Sequence, residues 1–195
     1  MKSYIYLNII RDIFKYNMNS SYNNFLNYGD LLKSIIFLKN PKSILEIGIL
    51  DGYSLKIFGD NSNKDTKIEA YDIFDDFNGN HGNKEQLIDK FKEHNNITIQ
   101  YGDFYELHNS KDMYDIIHID IANNGDVYEF SIEHYLPKLN TNGLLILEGG
   151  SEQRDNVEWM IKYNKSKIQP ILEKYNDTLD IKIIGTFPSI TLIKN

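Results

Sequence analysis

The stretch Lys42-Ser43-Ile44-Leu45-Glu46-Ile47-Gly48-Ile49-Leu50-Asp51-Gly52-Tyr53-Ser54 sets the reading of the whole chain. Ser43 to Ile47 is a short apolar run carrying one acid, Glu46, near its end. Glycines follow at 48 and 52, and Tyr53 to Phe58 can then wind a helix. Strand, glycine turn and helix in this order open a nucleotide-binding α/β fold. Gly48 lets the chain turn sharply and lets a ligand approach the backbone, and Gly52 falls where helix and strand must pack closely. N–H groups at a helix start attract carboxylates or phosphates. The acid refines the reading: Glu46 would repel a pyrophosphate and attract an amino-acid ammonium or a sulfonium.

Upstream, residues 4–16 place Leu7, Ile10 and Phe14 on one helical face. Residues 28–39 do the same with Leu31, Leu32, Ile35, Ile36 and Leu38, and Pro41 ends that helix. Asn17 to Asn24 is a polar break between the two. This N-terminal extension, residues 1–40, could serve as plain packing, as a lid over a substrate or as a homodimer surface. The α/β core occupies 41–195, and the whole chain reads as a single domain.

Downstream, Lys67 to Tyr71 is a second strand closed by Asp72, 24 residues after Gly48. That is about the spacing at which nucleotide-binding α/β folds place an acid on the ribose. Ile73 to Gly82, which contains His81, is too long and glycine-rich for a direct strand-to-helix turn. A helix is expected from Asn83 to about Glu93, with Leu87, Ile88 and Phe91 inward. Ile97 to Tyr101 is a third strand ending in Gly102-Asp103. Tyr114 to Asp120 is a fourth, with the near-continuous apolar run of a central parallel strand. Asp126 and Glu129 form a capping box that opens a helix to about Leu136. Asn142-Gly143 lead into strand Leu144–Leu147, followed by Glu148-Gly149-Gly150. Helices near 156–163 and 169–175 precede two strands, 179–184 and 189–193.

Composition narrows the function. The chain has 195 residues, 41% hydrophobic and 13% aromatic, enough for a full core. Its 21 basic and 28 acidic residues give a net charge of −7, which disfavours a nucleic-acid backbone binder. There is no cysteine, hence no disulfide and no thiolate metal site, as suits the cytoplasm. No run approaches a membrane span, and the N-terminus does not read as a signal peptide.

Glu46-Ile47-Gly48-x-x-x-Gly52-Tyr53-Ser54 resembles motif I of class I S-adenosylmethionine-dependent methyltransferases, in the form common among small-molecule O-methyltransferases. Many of these carry a further glycine where this chain has Leu50. The segment from Pro137 to Glu148 resembles the stretch that leads into their fifth strand, and the terminal strand pair resembles their usual ending. Asp75-Asp76-Phe77-Asn78-Gly79 resembles a loop of macrocin-type sugar O-methyltransferases. The resemblance implies a Rossmann-like three-layer sandwich with a seven-stranded, mostly parallel sheet in the order 3-2-1-4-5-7-6. It implies S-adenosylmethionine held by Glu46, Gly48, Gly52, Tyr53, Ser54, Asp72, Ile73, Gly102, Asp103 and Asp120, with Asp103 at the adenine amino group.

The expected activity is methyl transfer to a small-molecule hydroxyl, a sugar being one candidate acceptor. A hydroxyl needs deprotonation, by a general base or by a metal. Asp120 and Glu148, at the ends of the fourth and fifth strands, are the candidate catalytic acids, and His81 in the glycine-rich loop is a third candidate. His118, two residues before Asp120 on one strand face, reads as a hydrogen-bonded core histidine. In divalent-metal relatives acids at these two positions hold the ion with an Asn after the second. Gly149 stands in that place here, and Ala122 stands where some sugar enzymes carry a second Asp, so a metal is a weaker expectation than the organic cofactor. Two rivals remain: a non-catalytic module that retains the cofactor fold, and a nicotinamide-dependent oxidoreductase. The latter lacks its G-x-G-x-x-G and would meet Glu46.

Overall fold

The computed structural model describes residues 28–76, 80 and 82–194. The expected helix over 4–16, the polar break after it and His81 lie outside the described residues. Seven strands build one sheet: β1 (Ser43–Ile47), β2 (Lys67–Asp72), β3 (Ile97–Tyr101), β4 (Tyr114–Ile119), β5 (Leu139–Glu148), β6 (Asp180–Ile184) and β7 (Ile190–Lys194). Their order is β3-β2-β1-β4-β5-β7-β6. β1 to β5 run parallel, and β7 alone is antiparallel to its neighbours β5 and β6. This is the Rossmann-like order that the sequence predicts. The strand order reverses between β1 and β4, and ligands of open α/β sheets bind outside the carboxyl ends of such a pair.

β1 shows why this sequence lies at the centre. Its alternate residues point to opposite faces. Ile44 joins the layer under helices Tyr28–Lys39 and Tyr53–Asn61, with Leu32, Ile35 and Phe58. Leu45 and Ile47 join the opposite layer, with Ile117, Tyr128 and Tyr135. Each such side chain, fully removed from water, contributes about 1.5–3 kcal/mol of transfer free energy. Glu46 shares the face of Ile44, and His118 that of Ile116, so both polar groups enter the same buried layer.

Four local expectations are corrected. Ile88 is exposed, because the helix Lys84–Lys90 buries Leu87 and directs Phe91, one turn on, to the same side; its neighbour Ile88 turns away. The cap of helix Gly125–Phe130 is Asn124, whose side chain accepts from the N–H groups of Asp126 and Val127, so Asp126 lies inside the first turn. β5 begins at Leu139, not Leu144: its pairing with β4 shifts between Tyr114 and Ile116, and Asn142, at φ +63°, takes up the extra residues. The helix expected near 156–163 is shorter, Glu158–Lys162, and a separate short helix, Glu152–Asp155, precedes it.

Gly48 is held at φ +92°, and a Cβ there would lie 2.1 Å from the carbonyl oxygen of Asp120. At Gly52 (φ +73°) the obstacle is the Phe91 ring at 2.7 Å, a side chain that can shift. Gly48→Ala is therefore expected to cost about 3 kcal/mol or more in urea unfolding, and Gly52→Ala clearly less. Equal losses would show that the backbone contact with Asp120 does not limit the turn.

Candidate active site

The carboxyl ends of β1, β2, β4 and β5 meet around the Gly48 turn. The Gly48 N–H donates to the Tyr71 carbonyl at 2.9 Å, and the Asp120 N–H donates to the Ile47 carbonyl at 3.0 Å. Asn123, fully buried, donates from its side-chain amide to the carbonyls of Ile119 (3.0 Å) and Glu148 (2.9 Å). It thereby ties the end of β4 to the end of β5.

Asp72 organises the turn. Its Oδ2 accepts from the N–H groups of Ile49 (2.7 Å) and Leu50 (3.2 Å). Its Oδ1 accepts from the Phe74 N–H (2.9 Å) and the Asn80 side-chain amide (2.6 Å). A carboxylate has about four acceptor positions, and all are used. Asp72 therefore fixes the glycine turn itself, a task that the 24-residue spacing does not reveal. Leu50 sits at φ +48°, in the left-handed region that favours glycine. The turn geometry is that of a glycine, and two N–H bonds to Asp72 hold a leucine segment in it.

Beneath the turn runs a buried polar chain. Tyr28 Oη lies 2.5 Å from His118 Nε2, and His118 Nδ1 lies 3.2 Å from Glu46 Oε1. Ser54 Oγ also donates to Glu46 Oε1. Burial, with the carboxylates of Asp120 and Glu46 nearby, pushes the Tyr28 phenol well up, so it stays protonated. The phenol thus donates to Nε2, and Nδ1–H donates to Glu46. His118, edge-on to Phe58, is a hydrogen-bonded core histidine as expected. Glu46 Oε2 remains buried without a hydrogen-bond partner among the described residues.

Asp120 and Glu148 end adjacent strands but meet different surroundings. Asp120 keeps a solvent-facing surface while protein encloses it on its other sides. Burial, aided by the carboxylates of Glu148 and Glu46 and opposed by His118 and Arg154, pushes its carboxyl up to about 6. Glu148 is clamped by Arg154: Nε lies 3.0 and 3.2 Å from its two oxygens, and Nη2 lies 3.0 Å from Oε2. Arg154 was not among the candidates. The one signal for it is composition: Arg11 and Arg154 are the only arginines among 21 basic residues.

The remaining candidates divide. Tyr53 is exposed on the first turn of its helix, and Ile73 is half-buried beside Asp72. Asp103 caps the helix Phe104–Leu107 by accepting from the Tyr105 N–H at 2.8 Å. A Cβ on Gly102 would lie 2.7 Å from Tyr71 and 2.9 Å from Leu107, so its smallness serves the protein's own packing.

The family model described as O-methyltransferase matches residues 4–172. The chain belongs to the O-methyltransferase family. Its members are S-adenosylmethionine-dependent methyltransferases, and so is this chain. Solved structures share the fold. A candidate caffeoyl-CoA O-methyltransferase from Staphylococcus aureus is 22% identical, with 96% of this chain and 98% of that one covered at a TM-score of 0.65. The Bacillus cereus O-methyltransferase in complex with S-adenosylhomocysteine (SAH) is 13% identical, covering 95% and 90% at 0.66. TomG of Streptomyces achromogenes, an O-methyltransferase of tomaymycin synthesis bound to S-adenosylmethionine, is 15% identical, covering 85% and 78% at 0.61. No curated protein matches the chain significantly.

The methyltransferase's residues fit the sulfonium cofactor. Glu46 carries an unused buried acceptor at the end of β1, and Asp120 adds a second carboxylate. The fit to a divalent metal is poor. Glu148 already holds a guanidinium, Gly149 offers no side chain, and no group of three His, Cys, Asp or Glu among the described residues could hold an ion.

Asp120 also bears on stability. Its folded value lies above the unfolded 3.8, so the folded state holds this proton more tightly. Ionising it therefore lowers stability as pH rises between 3.8 and about 6, and the penalty is full above that window. After discounting for its contact with solvent, Asp120→Asn is expected to raise the melting temperature at neutral pH by about 2–4 °C. The gain should vanish below about pH 4. A lowered melting temperature at neutral pH would contradict this environment for Asp120.

Proposed function

We propose that this methyltransferase transfers a methyl group from S-adenosylmethionine to the hydroxyl of a small molecule, with Asp120 as the general base. The observation that carries the reading is the contrast between the two strand-end acids. Glu148 is spent on Arg154, while the Asp120 carboxylate has no hydrogen bond or ion pair among the described residues and is raised toward neutrality. A base with a value near 6 is ionised at neutral pH and still basic enough to assist proton removal.

When bound, S-adenosylmethionine supplies a methyl carbon on a sulfonium sulfur; the acceptor oxygen forms the new bond, the carbon–sulfur pair stays on sulfur and a neutral thioether leaves. Asp120 takes the hydroxyl proton as that bond forms. The glycine turn and Asp72 hold the nucleoside side of the cofactor, and Glu46 and Asp120 favour its positive groups. Of the four donors on Asp72, the Asn80 amide is the one outside the backbone, so it is the one a ribose hydroxyl can replace. A sugar acceptor is favoured by the likeness of the 75–79 segment, and the net charge of −7 disfavours a nucleic acid.

Two measurements test this. Asp72→Ala should weaken SAH binding in calorimetry by about 1.5–3 kcal/mol, the loss of charge-assisted hydrogen bonds. Unchanged affinity would remove Asp72 from the cofactor site. In an SAH-release assay across sugar and phenolic acceptors, wild-type turnover should rise with pH through about 6 and then level. Asp120→Asn should lose on the order of a hundredfold in turnover, with a far smaller loss in SAH affinity. Full turnover by Asp120→Asn would move attention to His81.

A further inference from the structure

Arg154 is built into the site more firmly than an ion pair requires. Besides its three contacts with Glu148, Nη2 donates to the Asn123 backbone carbonyl at 3.1 Å. The guanidinium lies over the Trp159 ring, 4.8 Å from its centroid. Carbonyl, carboxylate and indole thus hold the planar group on three sides, a use for which arginine is suited and lysine is not. The residue is 5% exposed, and Nη1 is buried without a partner among the described residues. A buried N–H left unsatisfied is costly.

We infer that Arg154 is the resident cation of this site: held on Glu148, its guanidinium takes the place and the electrostatic role of the divalent ion that metal-dependent O-methyltransferases bind at these two strand ends. The inference deepens the O-methyltransferase reading and rests on it. The acids are in place, but Gly149 removes the third ligand and Arg154 occupies the second. A guanidinium carries one charge and neutralises one carboxylate. It leaves Asp120 uncoordinated, able to accept a proton, where a divalent ion would bind both acids.

The test is a manganese titration of the purified full chain at neutral pH, followed by water-proton relaxation, because Mn²⁺ favours carboxylate oxygen sites. The wild type should show no saturable site, and Arg154→Lys, which keeps a cation there, should behave likewise. Arg154→Met should bind Mn²⁺ at least about tenfold more tightly than the wild type, since two uncompensated carboxylates then share the place. Adding Glu148→Gln to Arg154→Met should abolish the gain. If Arg154→Met does not fold, Arg154→Gln takes its place with the same expectations. A wild-type Mn²⁺ site that Glu148→Gln or Asp120→Asn removes would overturn the inference. So would a folded neutral variant that binds no better than the wild type. SAH calorimetry on the same wild-type sample keeps the two claims apart: failure to bind SAH would sink the functional reading and leave the manganese result to judge Arg154.

Discussion

The Cβ that Gly48 lacks is what allows β1 and β4 to end side by side. With any other residue there, the carbonyl of Asp120 would have to move, and the end of β4 with it. The position of Asp120 over the cleft, and its N–H bond to Ile47, depend on that close approach. The turn after Gly48 then needs an acceptor for its N–H groups, and Asp72, at the end of the neighbouring strand, supplies it. One steric condition thus aligns two strand ends, and one carboxylate from a third strand holds the loop after Gly48.

Acids at the carboxyl ends of β1, β4 and β5 meet three different treatments. Glu46 is buried against a histidine and a serine, with one oxygen unused. Asp120 opens on solvent and is raised toward neutrality by enclosure and by the other two acids. Glu148 is neutralised by an arginine. Residue type alone would make all three candidates for one role. The environments separate them, and in the proposed function they serve as a cofactor contact, a base and an anchor for a fixed charge. A buried ion pair such as Glu148–Arg154 is a weak source of stability, since desolvation offsets most of its attraction. In the inference drawn above, the pair serves instead to set the charge beside Asp120.

The strands and the carboxyl-end site were legible because they rest on local patterns, and the strand order came with the family resemblance that those patterns carry. Apolar alternation, glycine spacing and the Pro137–Glu148 segment each act within a dozen or so residues. What the sequence did not disclose depends on contacts between distant segments. Tyr28 reaches His118 from the first turn of the helix that precedes β1, and Asn80 returns to Asp72 from a long loop. Arg154 folds back on Glu148 from a short helix whose register no periodicity marks. Asn123 shows the same limit: its staple between β4 and β5 exists only once the strands are paired. At helix ends the competition was closer. Asn124 and Asp126 are both good caps, and two N–H bonds to the Asn124 side chain decide between them.

The most direct test of this account is a crystal structure of the full chain grown with SAH and excess magnesium. The account predicts SAH along the 48–52 turn, a ribose hydroxyl on Asp72 in place of the Asn80 amide, and the Arg154–Glu148 pair intact with no ion between Glu148 and Asp120. Density for a cation bridging those two carboxylates, with Arg154 turned away, or SAH bound elsewhere on the molecule, would contradict it.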